Sequence, residues 1–193
     1  MTKGIFLDRD GVINYPVLNP KTNEHEAPAK KDDFKLFPGV IEALKELQNL
    51  DYKLFLVSNQ PDYAKGKTTL ESLQLVHNKL DSILNENNIV FTEYYYCYHH
   101  PKGIIPEYSF ECKCRKPRNL FLIQAQAKYN LELPKSWMIG DSDVDIFCGQ
   151  SVNVRTILIK TQESAHRTGK STPEYIVNNL QEAVEVIKRK AIT

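Results

Sequence analysis

The stretch Ile5-Phe6-Leu7-Asp8-Arg9-Asp10-Gly11-Val12-Ile13 decides how this chain folds. Ile5-Phe6-Leu7 reads as a short buried strand, with Asp8 at its end and Asp10 two residues on. In extended backbone, residues i and i+2 point to the same side, so the two carboxylates share the mouth of a sheet. Gly11 beside them lets the chain turn away. Two carboxylates so placed suit a magnesium-assisted attack on phosphorus, one acting as nucleophile and the other as acid and base. An isolated Asp-x-Asp is as often a solvated turn, so other segments must supply the remaining groups.

Outward from this stretch, strand and helix patterns alternate. Residues 15–33 are polar and predict a loop. Pro38-Gly39 opens a helix running to about Leu50, with Val40, Ile41, Leu44 and Leu47 at helical spacing. Residues 52–57 predict a buried strand ending at Ser58-Asn59-Gln60. Thr69 to about Asn85 predicts a helix with Leu70, Leu73, Val76, Leu80 and Leu84 on one face. Then come an aromatic strand over 92–97, a loop over 98–118, and a helix from Asn119 to about Tyr129. Residues 137–140 form a strand ending at Asp141, followed by a short helix over about 144–149. Strands over 156–159 and 175–177 and a last helix over 180–189 complete the chain. This alternation predicts a three-layer, doubly wound α/β domain with a parallel sheet, one domain over residues 1–193. In such sheets the chemistry lies beyond the carboxyl ends of the strands, where Asp8, Ser58 and Asp141 fall. No connection is long enough for a separate cap domain, so the site is expected to be open unless residues 98–118 roof it.

A chain of 193 residues with 41% hydrophobic and 25% charged residues can bury a core and reads as soluble. A formal net charge of +1 predicts no long-range attraction to nucleic acid or to a membrane surface. No run approaches the ~18 apolar residues of a membrane span. The N-terminus runs straight into a strand, which leaves no room for a signal peptide, and a cytoplasmic monomer is expected. Of four cysteines, Cys97, Cys112 and Cys114 lie close to His99 and His100, whereas Cys148 falls on a helix and reads as core. In a reducing compartment, three thiols and an imidazole suit a structural Zn²⁺ better than disulfides. Zinc would clamp both ends of a loop that has no apolar face of its own.

Asp8-x-Asp10-Gly11, Ser58-Asn59-Gln60, Lys116-Pro117 and Gly140-Asp141-x-x-x-Asp145 occur in the order of the haloacid dehalogenase-like phosphatases, which this chain resembles over most of its length. The resemblance implies that Asp8 is the nucleophile and forms an aspartyl-phosphate, and that Asp10 protonates the leaving oxygen and later deprotonates water. Asp8, the backbone carbonyl of Asp10 and Asp141 would hold Mg²⁺, with Asp145 either a ligand or an anchor. Ser58 and Asn59 would donate to phosphoryl oxygens, and Lys116 would neutralise charge there. Asp143 is expected to be solvated.

The Cys97-x-His99 and Cys112-x-Cys114 pairs resemble the zinc loop of a capless branch that holds heptose bisphosphate phosphatases and histidinol-phosphate phosphatases, and this match selects His99 over His100. Tyr94 to Pro101, Cys112 to Pro117 and Ala64-Lys65-Gly66-Lys67 resemble the heptose side. There Asn59 and Gln60 would sit by the phosphate and sugar, and Arg115 would grip the substrate, a small phosphorylated sugar. The chain departs from its relatives at Pro61-Asp62, where they carry Ser-Gly, and at Arg118-Asn119-Leu120, where a small residue or proline and then glycine are usual. Arg118 is expected to suit a second phosphate. The rival readings are a histidinol-phosphate phosphatase, a nucleic-acid end phosphatase and a non-catalytic zinc-binding module. No role is expected for His25, His77 or His166.

Overall fold

A computed structural model describes residues 2–20 and 22–191. Its strands are β1 (Lys3–Leu7), β2 (Val17–Asn19), β3 (Glu24–Glu26), β4 (Tyr52–Asn59), β5 (Phe91–Cys97), β6 (Trp137–Gly140), β7 (Arg155–Ile159) and β8 (Tyr175–Val177). Its α-helices are α1 (Val40–Asn49), α2 (Leu70–Glu86), α3 (Leu120–Tyr129), α4 (Asp143–Gln150) and α5 (Leu180–Ala191). Six strands form one sheet in the order β5-β4-β1-β6-β7-β8, and each pairing is parallel.

Alternation along the central strands divides the core between the two faces of the sheet. Ile5, Leu7, Leu54 and Leu56 pack with α1, α2 and α5 through Leu44, Leu80 and Ile187. Phe6, Phe55, Val57 and Met138 face the other way, against Leu122 and Ala125 of α3 and Cys148 of α4. Because helices cover both faces, these strands are continuously apolar rather than half polar. The expected three-layer parallel architecture is therefore present, and Cys148 lies in the core as expected.

Local chemistry sets the helix starts. Gly39 precedes α1 with φ +76°, a left-handed conformation that a side chain disfavours. The Thr69 hydroxyl accepts from the Ser72 N–H at 3.1 Å and caps α2, so Thr69 itself lies just outside the helix. Helix α4 begins at Asp143, one residue earlier than its apolar pattern predicts, because Ser142 and Asp145 form a reciprocal capping box.

The main departure lies in residues 15–33, where β2 and β3 pair as an antiparallel hairpin rather than an irregular loop. Three-residue strands reading Val-Leu-Asn and Glu-His-Glu carry too little alternation to show in sequence. An ion pair between Glu26 and Lys67 fastens the hairpin to the segment after β4.

Leu80 is fully buried between α2 and the sheet. Leu80→Ala is expected to lower unfolding stability by about 2–5 kcal/mol in urea titration, through lost burial plus the cavity left behind.

Candidate active site

β1 and β6 are adjacent, with Leu7 opposite Ile139, and the Asp8 N–H donates to the Ile139 carbonyl at 2.9 Å. The residues just beyond these two strands, Asp8 and Asp141, are thereby brought together. This is also where the strand order reverses direction, with β4 added on one side of β1 and β6 on the other. The capping box adds a third carboxylate. Asp145 Oδ2 accepts from the Ser142 N–H at 3.2 Å and from its hydroxyl at 2.6 Å. Asp8, Asp141 and Asp145, all buried, each offer an oxygen, and these oxygens lie within 4.8 Å of one another.

Lys116 is the counter-charge. Its ammonium lies 2.8 Å from Asp8 Oδ1 and 2.6 Å from Asp145 Oδ1, and it donates to the Val57 carbonyl at 2.6 Å. The ammonium thus makes one hydrogen bond to a carbonyl and two close ion pairs with carboxylates. Burial works against its charge, but Asp145 and Asp8 hold its pKa above the ordinary lysine range. Burial lifts Asp8 to about 6 against the pull of Lys116, with Asp145 and Asp10 adding to the rise. Asp141 is raised well above the usual carboxylate range, first by burial; the Arg167 guanidinium opposes the rise, and Asp8 and Asp145 reinforce it.

Asp141 Oδ2 accepts from Arg167 Nη2 at 2.7 Å, whereas its Oδ1 is buried and has no hydrogen-bond partner. A buried carboxylate oxygen without a partner is costly. Among the described residues, three carboxylates here are ion-paired with two cations, Lys116 and Arg167. An all-oxygen donor set with one lone pair unused fits a hard divalent cation such as Mg²⁺, which needs few protein ligands.

Asp10 stands beside this cluster rather than in it. Its Oδ1 accepts from Arg9 Nε at 3.2 Å, Arg9 Nη2 at 3.1 Å and Asn14 Nδ2 at 2.9 Å. Its Oδ2 accepts from Gln60 Nε2 at 2.7 Å. Gln60 also donates to Ser58 Oγ at 2.9 Å and is buried outside the cavity lining, so both of its N–H bonds are directed at Asp10 and Ser58. Asn59 lines the cavity and clasps Lys116 with part of its amide: Nδ2 donates one of its two N–H bonds to the Lys116 carbonyl at 3.1 Å, and Oδ1 accepts from the Lys116 N–H at 3.0 Å. Asp143 is not solvated. It accepts from the N–H groups of Lys170 and Ser171 at 3.0 and 2.9 Å and from the Ser171 hydroxyl at 2.6 Å.

The second constellation closes the segment between β5 and α3. Cys97 Sγ lies 3.5 Å from Cys112 Sγ and 3.1 Å from Cys114 Sγ, and Cys112 and Cys114 are 3.3 Å apart. His99 Nδ1 lies 3.7 Å from Cys97 Sγ and 3.4 Å from Cys114 Sγ. All four cysteines are free thiols. A tetrahedron with Zn–S of about 2.3 Å puts its sulfurs roughly 3.8 Å apart, so this set can hold such an ion. His100 instead accepts from the Lys102 N–H at 3.1 Å, outside the cluster. Burial pushes the Cys97 thiol up, an environment in which a bound cation would favour the thiolate. The cluster ties Cys97, at the end of β5, to Cys112 and Cys114, two residues before Lys116.

A cavity of about 640 Å³ opens over these groups, and Asp8, Asp10, Arg115 and Lys116 line it. Glu24, His25 and Glu26 of the hairpin form part of its wall, as do His166, Arg167 and Lys170 from the segment after β7. Of residues 98–118, Arg115, Lys116 and Pro117 line the cavity, and the hairpin supplies part of its wall. Arg118 lies outside the cavity. It donates to the Cys112 carbonyl and to Glu111, each at 2.6 Å. Sequence reading missed Arg167 altogether, because no spacing ties it to Asp141, twenty-six residues earlier.

A parallel sheet that presents two strand-end aspartates, a lysine from a later loop and a cation-sized carboxylate cluster is the arrangement of haloacid dehalogenase-like hydrolases. Residues 113–183 match the HAD-hydrolase-like family model. The chain is 32% identical over 187 residues to D-glycero-beta-D-manno-heptose-1,7-bisphosphate 7-phosphatase of Yersinia pestis, spanning 96% of this chain and 95% of that protein. It is likewise 32% identical to the protein of the same name from Pasteurella multocida over 189 residues, 97% of this chain and 98% of that one. A crystal structure of D,D-heptose 1,7-bisphosphate phosphatase from B. bronchiseptica, complexed with magnesium and phosphate, shares the fold with a TM-score of 0.81 at 22% identity, covering 98% and 99% of the two chains. The chain therefore belongs to the heptose-1,7-bisphosphate 7-phosphatase family of the haloacid dehalogenase-like superfamily and is a phosphoric monoester hydrolase. No helix among the described residues is long and apolar enough to cross a membrane.

Gly11 has φ +93°, and a Cβ there would stand 2.0 Å from Asp141 Oδ2. Gly11→Ala is expected to cost more than about 1 kcal/mol of stability in chemical denaturation. Adding Asp141→Ala should restore part of that loss, a non-additivity that reports the direct clash.

Proposed function

We propose that this enzyme hydrolyses the 7-phosphate of D-glycero-D-manno-heptose 1,7-bisphosphate through an aspartyl-phosphate. The observation that carries the mechanism is the meeting of Asp8, Asp141 and Asp145, with Lys116 between Asp8 and Asp145 at the cavity wall and Asp141 buried behind them. Near-full-length similarity to proteins named for that substrate supports the substrate. Asp8 attacks phosphorus: its carboxylate oxygen forms the new P–O bond as the bond to the sugar oxygen breaks. Asp10 gives that oxygen its proton, then takes one from the water that cleaves the acyl phosphate. Arg9, Asn14 and Gln60 leave Asp10 little freedom, so its proton-carrying oxygen is held in place. Lys116 stabilises charge on the transferring group, while Ser58, buried and accepting from Gln60, is held beside Asp10 by that same amide.

Asp8, the Asp10 carbonyl and Asp141 would hold Mg²⁺, which supplies electrostatic stabilisation of the phosphoryl oxygens when bound. Asp145, its Oδ2 held by Ser142 and its Oδ1 in an ion pair with Lys116 at 2.6 Å, acts as the anchor of Lys116 rather than as a ligand. Arg115 lines the cavity, and its Nη1 is buried with no hydrogen-bond partner, which suits it to grip a second phosphate. Cys97, His99, Cys112 and Cys114 would hold a structural Zn²⁺ that fixes Arg115 and Lys116 over the site. On this reading the whole chain is one catalytic domain that works as a cytoplasmic monomer on a small phosphorylated sugar, without nucleic acid or membrane.

Asp8→Asn is expected to lower turnover of the heptose bisphosphate by about 10⁴-fold or more, because phosphate monoesters have almost no uncatalysed route. A phosphate-release assay comparing heptose bisphosphate, histidinol phosphate and a 3′-phosphorylated oligonucleotide tests the substrate. Preference for either of the latter two would overturn it, and wild-type turnover by Asp8→Asn would overturn the mechanism.

Metal analysis of the purified protein is expected to give about one zinc per chain. Cys114→Ser should lose most of it, lower the melting temperature and reduce kcat/KM by about tenfold, a change worth about 1.4 kcal/mol. Zinc-free wild-type protein with full activity would remove the structural role.

A further inference from the structure

We propose that Arg167 is a positioning residue for the divalent-cation site: it fixes one oxygen of Asp141 so that the other is presented to the ion. The inference rests on the reading that Asp141 is a cation ligand. Asp141 is fully buried, and its two oxygens are treated differently. Oδ2 accepts from Arg167 Nη2 at 2.7 Å, and Oδ1 has no partner. A carboxylate held by one oxygen and free at the other is set up as a monodentate ligand, and hydrogen bonds to ligating carboxylates orient them and tune the metal.

Lys116 does not take this part, because its ammonium is placed against Val57, Asp8 and Asp145. Arg167 is the cation paired with Asp141 among the described residues.

The segment that carries Arg167 is anchored on both sides of it. Upstream, the Ser164 N–H donates to Thr161 Oγ1 at 3.2 Å, the Thr161 and Ser164 hydroxyls meet at 2.7 Å, and the Arg167 N–H donates to the Ser164 carbonyl at 2.8 Å. Downstream, Asp143 takes the N–H groups of Lys170 and Ser171. Asp143 is two residues from Asp141, so the same turn that supplies the ligand also holds the strap that orients it. This gives Asp143 a purpose: it docks the segment after β7 onto the start of α4 and thereby delivers Arg167.

The test is calorimetric titration of the zinc-loaded protein with Mg²⁺ alone, free of substrate. Arg167→Gln is expected to weaken Mg²⁺ binding by about 10–100-fold, with Arg167→Lys partway back toward wild type. The Mg²⁺ concentration for half-maximal hydrolysis of p-nitrophenyl phosphate should rise by a similar factor, while zinc content stays at the wild-type value and marks an intact fold. Wild-type Mg²⁺ affinity in Arg167→Gln would overturn the proposal. So would tighter binding, which would make Arg167 a competitor for Asp141 rather than its holder. Asp141→Asn in the same titration separates the two levels of the argument. If it weakens Mg²⁺ binding and Arg167→Gln does not, only the role of Arg167 falls; if neither variant changes it, the cation-site reading falls and this inference with it.

Discussion

Three carboxylates share the end of one parallel sheet with a single lysine between two of them. Like unit charges about 4 Å apart repel by roughly 4 kcal/mol at the effective dielectric of partly buried pairs. Asp8, Asp141 and Asp145 are tolerable together only because Lys116 and Arg167 offset two of the charges. The unpaired, buried Oδ1 of Asp141 beside the other two carboxylates makes a donor set that suits a divalent cation. Much of the rest of the chain serves to hold that charge balance in place: β1 and β6 bring two carboxylates together, and the cap of α4 brings the third.

Lys116 links the site to the cysteine cluster. It comes from a segment of more than twenty residues between β5 and α3 that contains only one short 3₁₀ turn. The Cys97–Cys112–Cys114–His99 cluster closes that segment, and Asn59 clasps the Lys116 backbone from β4. A lysine on such a connection would otherwise sample many positions, and ordering it would cost conformational entropy at the moment of reaction. The cluster and Asn59 lower that cost in advance. A change at Cys114, distant in role from phosphate chemistry, therefore bears on the chemistry itself.

The site shows a division of labour among residues that look alike in sequence. Gln60 and Asn59 are adjacent amides, yet one is buried beneath Asp10 and the other binds the Lys116 backbone. Asp143 and Asp145 lie on the same helical turn, yet one holds the segment after β7 and the other holds Lys116. Arg115 faces the cavity, whereas Arg118 donates to Glu111 and the Cys112 carbonyl. Motif spacing brings such residues near the site. It does not say which neighbour each one will find, because that depends on which partner is already satisfied.

The sequence by itself determined the parallel α/β architecture, the strand-end aspartates and the cysteine–histidine set. Apolar runs bounded by turn residues leave few ways to bury a core, and the side-chain chemistry at each strand end is read directly. Only the tertiary structure decided that residues 15–33 form a hairpin that walls the cavity, that Gln60 serves Asp10, and that Arg167 reaches Asp141. Those outcomes depend on contacts between segments far apart in the chain. No local period encodes them, since a hydrogen bond between distant residues is selected by the packing that brings them together and not by their spacing.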